Sequence, residues 1–121
     1  MTSFITVTVY ALAALILALI AGVFLSFSDF IMRSLCAATP TSGIEAMQQI
    51  NRKVYSSVFL VWLLGMAPVA TLLSLYAFVF VEGPAKAWWI AGGALYVIGT
   101  FLVTVLGNVP MNKRLDPITP D

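Results

Sequence analysis

Residues 58–81 read VFLVWLLGMAPVATLLSLYAFVFV and carry no charged side chain. A helix rises about 1.5 Å per residue and the hydrocarbon core of a bilayer is roughly 30 Å thick, so this run is long enough to cross it. Two further uncharged runs, 4–27 and 87–107, satisfy the same condition. The chain is 61% hydrophobic and 9% charged, outside the balance of soluble domains. The predicted fold is all-α: a single domain, residues 1–121, forming a multi-pass transmembrane helix bundle with three spanning helices at about 4–27, 58–81 and 87–107. The lipid bilayer is its first expected partner.

Composition excludes several classes. A net charge of +1 gives no basis for binding nucleic acid, and histidine, the commonest ligand for zinc, copper or haem iron, is absent. Cys36 is alone and reads as a small packed thiol. No metal and no cofactor is expected. The start Met1-Thr2-Ser3-Phe4-Ile5 has no Lys or Arg, so the first run reads as a retained span and not as a signal peptide. Basic residues set the expected orientation: Arg33, Arg52, Lys53, Lys113 and Arg114 fall on one side and Lys86 alone on the other. That asymmetry predicts an outside N-terminus, a cytoplasmic C-terminus and, in a bacterium, an inner-membrane location. Trp88 and Trp89 fall where an interfacial aromatic belt would lie.

Between the first two spans, Thr39-Pro40-Thr41-Ser42-Gly43 is a turn cluster, and Ser42 with Glu45 matches a capping box. An amphipathic cytoplasmic helix is predicted at about 43–56, with Ile44, Met47 and Val54 on its packed side, continuing into the second span. Pro68 is expected to kink the second span, and Pro110 to end the third at about Asn108 or Val109. In the first span Ala14, Ala18, Gly22 and Ser26 form a row of small residues suited to close helix packing.

This topology gathers polar residues at the inner mouth of the bundle: Ser28 and Asp29, then Gln48 and Asn51, then Asn108 and Asn112. Carboxamides so placed can hold a polar ligand or a developing oxyanion, or can simply satisfy helix ends and headgroups. Asp29 is the candidate catalytic base, because partial burial would raise its proton affinity. Ser28, Gln48, Asn51, Asn108 and Asn112 are the candidate ligand-binding residues. Glu45 already has a structural role in the capping box, and nucleophilic catalysis that needs a histidine partner is excluded.

Three stretches, Gly22-Val23-Phe24-Leu25-Ser26-Phe27-Ser28-Asp29-Phe30-Ile31-Met32, Gly43-Ile44-Glu45-Ala46-Met47-Gln48-Gln49-Ile50-Asn51-Arg52 and Asn108-Val109-Pro110-Met111-Asn112, occur in this order with this span pattern. Together they resemble the anthrone oxygenase-like family of small integral membrane proteins, many of which are described only as a domain of unknown function. The resemblance implies a four-helix membrane bundle. It also implies, in members with an assigned activity, oxidation of an anthrone to an anthraquinone by oxygen without a prosthetic group. The family pattern continues beyond Asn112 into a Trp-rich region and a fourth span, so this sequence is expected to be the four-helix bundle minus its last helix. It should complete its packing in a homo-oligomer or against another membrane protein. Three functions stay open at this point: a membrane protein of this family with no assignable activity, a cofactor-independent oxygenase of anthrone-like polycyclic phenols, and a small proton-coupled exporter. The second would bind an aromatic small molecule, with Asp29 as base and Asn51, Asn108 and Asn112 holding its oxygens. The third is disfavoured because no span carries an ionisable carboxylate.

Overall fold

The computed structural model describes residues 3–119 and is helical, with no strand among them. The first rod runs from Phe4 to Ala37 as α1 (Phe4–Ser26), a wider π-helical stretch (Phe27–Ile31) and α2 (Met32–Ala37). Ser3 caps its start by accepting from the Thr6 N–H at 3.1 Å. Then come α3 (Pro40–Val54) and α4 (Val58–Phe80). The third rod, 85–115, comprises α5 (Ala85–Ala94), π-helical stretches at Leu95–Leu102 and Thr104–Asn108, and α6 (Val109–Leu115). The rods Phe4–Ala37, Val58–Phe80 and Ala85–Leu115 are each long and apolar enough to cross a membrane. Large apolar side chains such as Leu25, Val61, Leu72, Phe80 and Leu106 face outward, as a lipid-facing surface requires.

The core is a seam on α4. Leu63, Met66, Ala67 and Ala70 are buried there against Ala13 and Ile20 of the first rod and Tyr96 of the third. Tyr96 donates its hydroxyl to the Leu63 carbonyl, and Tyr10 donates its own to the Leu73 carbonyl. Buried tyrosines need such partners, and these two tie the outer rods to the central one. Phe24 packs edge-on against Phe59, ring centroids 5.8 Å apart. Thus the far part of α1 meets the start of α4, while Tyr10 near the start of α1 meets the end of α4: the two run antiparallel.

Several local expectations need correction. The first helix does not stop near Phe27, because neither Gly nor Pro interrupts residues 23–39. Pro110 does not end the third rod. Its ring would clash with the carbonyl a turn earlier in a tight α-helix, but the widened turn at Thr104–Asn108 leads into it, and Pro110 stands in the first turn of α6. The amphipathic helix begins at Pro40, earlier than the capping box implied. Thr39, not Ser42, is the N-cap: its Oγ1 accepts from the Ser42 N–H at 3.3 Å, and Pro40 pre-sets the first helical turn. This helix is also not continuous with the second span. It breaks at Tyr55–Ser57, and Ser57 caps α4 by accepting from the Leu60 N–H at 3.2 Å.

Candidate functional site

Helix α3 turns inward the side that the apolar pattern selects: Ile44, Met47 and Val54 are half-buried there, and Gln48 and Asn51 between them are buried more fully. Its buried residues are Gly43, Gln48 and Asn51. Gly43 lies against the Leu35 carbonyl of α2 so closely that a side chain could not fit. That contact packs the start of α3 closely on α2. Gln48 donates its side-chain amide to the carbonyls of Leu115 (3.0 Å), Asp116 (3.4 Å) and Ile118 (2.5 Å). One turn on, Arg52 pairs with the Asp116 carboxylate at 2.7 Å. Residues 115–118 are therefore strapped to α3. Asn51 is 6% exposed, and its amide nitrogen has no hydrogen-bond partner among the described residues.

Of the residues expected at the inner mouth, the structure gathers only some. Gln48 and Asn51 are buried on one face of α3, and Asn112 is half-buried on α6, which packs against that helix. Ser28, Asp29 and Asn108 are exposed. The Asp29 side chain is 66% exposed and faces Arg33 across 3.6 Å, so the burial that would favour it as a base is missing. The segment carrying Ser28 and Asp29 packs chiefly along its own rod. Its turn is π-helical, a widening that apolar periodicity does not reveal.

A second feature lies toward the other end of the bundle. A half-open cavity of about 210 Å³ sits between α1, α4 and α5. Tyr10 and Trp89 form one wall, their rings stacked with centroids 3.8 Å apart and planes 22° from parallel. Met66 and Leu73 of α4 also line it, and on α5 the lining passes from Trp88 and Trp89 to Gly92 and Gly93, which add no side chain. No charged side chain lines it. The space exists because bulk is withheld on two helices: Ala13 and Ala14 on α1 face the glycine pair on α5. Gly93 also lets α5 approach α4, since a Cβ there would collide with the Ser74 hydroxyl and come within 2.9 Å of the Ala70 carbonyl. At Gly92 a Cβ would meet nothing within 4 Å.

Sequence reasoning placed the Trp pair at an interface but missed the cavity. The signals were there: Tyr10 is an aromatic among aliphatics, and a double glycine follows the Trp pair by one helical turn. Neither reveals which neighbour it faces. Among the described residues no group of three or more His, Cys, Asp or Glu side chains could hold a metal.

A family model described as anthrone oxygenase matches residues 52–121, from the last turn of α3 through α4, α5 and the Asn108–Asn112 motif. No curated protein and no solved structure matches the chain. The family match covers more than half of the sequence and contains two of the three spanning helices, and on that ground the chain belongs to the anthrone oxygenase family.

Proposed function

We propose that this protein takes a neutral, anthrone-like polycyclic phenol from the bilayer and promotes its oxidation by dioxygen to the quinone, and that it lies with its N-terminus outside and its C-terminus in the cytoplasm. The observation that carries the reading is the half-open, uncharged cavity bounded by Tyr10, Trp89 and the α5 glycines. Every charged side chain among the described residues is exposed except Lys86, which is half-buried. Such an interior suits a ligand that partitions into hydrocarbon, because an ion would lose its hydration with nothing to replace it. Family membership supplies the reaction class.

The chemistry balances without a further reductant. The methylene carbon of the anthrone gives up a proton to water, leaving an electron-rich aryloxide whose charge is spread over the fused rings, and a proton is taken up again when the peroxide forms. Dioxygen takes two electrons and forms a carbon–oxygen bond at the methylene carbon, giving a hydroperoxide. Loss of water breaks its oxygen–oxygen bond and removes the second hydrogen from the same carbon. One oxygen atom stays as the new carbonyl and the other leaves as water. In this scheme the protein orients the ring and holds the reacting edge open to dissolved oxygen, a positioning role.

A second reading keeps the reaction and moves it to the inner mouth, where Asn51, with Asn112 and Asn108, would hold the substrate oxygens and Asp29 would serve as base. The buried, partnerless Asn51 amide favours it, since such a donor stabilises an oxyanion well. One experiment separates the readings. Membranes containing the protein are supplied with anthrone, and oxygen uptake is followed together with quinone formation. Gly92→Leu should abolish the protein-dependent rate on the first reading and Asn51→Leu on the second. A rate no higher than in membranes lacking the protein would remove both.

A further inference from the structure

The cavity also carries information about which rings it accepts. Its volume of about 210 Å³ is below the roughly 300–1,000 Å³ that encloses a drug-sized ligand, so the fit is to a small, compact molecule. Its aromatic wall is fixed. The Tyr10 hydroxyl is committed to the Leu73 carbonyl, which pins the phenol ring, and the ring is stacked on Trp89. What this wall offers a ligand is aromatic surface. One turn along α5 from Trp89, Gly92 has open space where a side chain would project. The depth available beside the wall is therefore set by the absence of a side chain at Gly92 and by the short one at Ala14.

Resting on the reading above, we propose that the Tyr10–Trp89 wall and the space left by Gly92 and Ala14 form a size filter for fused aromatic ring systems. It admits about three flat rings and reads shape in preference to hydroxyl pattern. Flatness is selected because stacking on an aromatic face rewards planar partners and gives little to a bent or branched one. Weak dependence on hydroxyl position follows from the lining: no charged side chain faces the space, the Tyr10 hydroxyl hydrogen is already donated, and the indole N–H groups of Trp88 and Trp89 are the other side-chain donors on the lining residues. A flexible acyl chain could enter the same space but would gain nothing from the stacked wall.

The test uses stable quinones, so that binding is read apart from turnover. In a Trp62→Phe background the remaining indoles are Trp88 and Trp89, both lining the cavity. Quenching of their fluorescence by two-, three- and four-ring quinones is titrated in nanodiscs. The expected order is tightest binding for three rings and at least tenfold weaker binding for four. Gly92→Leu should weaken the three-ring quinone at least tenfold and the two-ring quinone less than threefold. Ala14→Leu, which fills the space from the opposite helix, should repeat the pattern and guards against misfolding of a single variant. Linear, non-saturating quenching, or a ring preference unchanged in both variants, would overturn the filter. If the ring preference holds but no anthrone is oxidised, the filter stands and the oxygenase reading falls. If oxidation proceeds and both variants leave it intact, the reverse is true.

Discussion

The phenol of Tyr10 lies on the indole of Trp89, centroids 3.8 Å apart, joining the first rod to the third. The Tyr10 hydroxyl is meanwhile held by the Leu73 carbonyl on the second. One side chain thus links three helices at the edge of the cavity. Tyr10→Phe keeps the ring and removes only the tether, while Tyr10→Ala removes both. Tyr10→Ala should cost about 3–5 kcal/mol if the site cannot collapse, as for other large-to-small aromatic truncations. Tyr10→Phe should cost about 1 kcal/mol. Thermal unfolding in mild detergent would reveal the order, and equal losses in the two variants would mean that the stack contributes little.

Adjacent glycines on α5 should behave differently. At Gly93 an added methyl meets the Ser74 hydroxyl and the Ala70 carbonyl, and at Gly92 it meets open space. Gly93→Ala should therefore destabilise by about 1–3 kcal/mol, the usual cost of overpacking. Gly92→Ala should be neutral or slightly stabilising, since alanine is the better helix former. Ser74→Ala should recover only part of the Gly93→Ala loss, because the Ala70 carbonyl remains in the way. Full recovery would place the clash on the hydroxyl alone.

How much of this was readable beforehand divides along physical lines. Charge-free length shows directly which segments are long and apolar enough to cross a bilayer, and the three long helices were legible for that reason. Helix ends were less so. Thr39 and Ser42 are both competent caps three residues apart, and the helix takes the earlier one, with Pro40 in its first turn and Gly43 packed on Leu35. The continuation through Pro110 depends on a widened turn that apolar periodicity does not encode. Among the polar site candidates, Gln48 and Asn51 are buried because they lie on the apolar side of α3, with Ile44, Met47 and Val54, where α6 and the 115–118 strap cover it. Asp29 stays exposed beside Arg33, a neighbour visible in the sequence as an i, i+4 pair. The cavity was not legible, since it arises from small residues on two helices whose facing is a tertiary property.

The strap on α3 separates a buried contact from an exposed one. Arg52 and Asp116 are each about half exposed, so their ion pair should contribute no more than about 1 kcal/mol. Gln48 is 4% exposed and serves three carbonyls, so Gln48→Leu leaves those acceptors unserved and should cost about 1–3 kcal/mol. A cysteine introduced at Ile118 would report the difference. Its alkylation should accelerate markedly in Gln48→Leu and only slightly in Asp116→Asn. The opposite ranking would make the ion pair the main clasp.

Asn51 offers a sign test. Its buried amide nitrogen has no partner among the described residues, so replacement by leucine removes an uncompensated polar group at similar volume. Stability should be unchanged or rise by about 1 kcal/mol. A marked loss would show that the amide has a partner in the assembled membrane protein.

The central claim, that the ligand sits between Tyr10, Met66 and Trp89, is tested most directly by letting the ligand mark its own site. Anthraquinone abstracts hydrogen from neighbouring C–H bonds on near-ultraviolet irradiation. Irradiation of the protein in nanodiscs with bound anthraquinone, followed by peptide mass spectrometry, would map the adducts. They should fall within residues 10–17, 66–73 and 88–93 and be lost in Gly92→Leu. Adducts confined to residues 48–51 and 108–112 would contradict the account and move the site to the inner carboxamides.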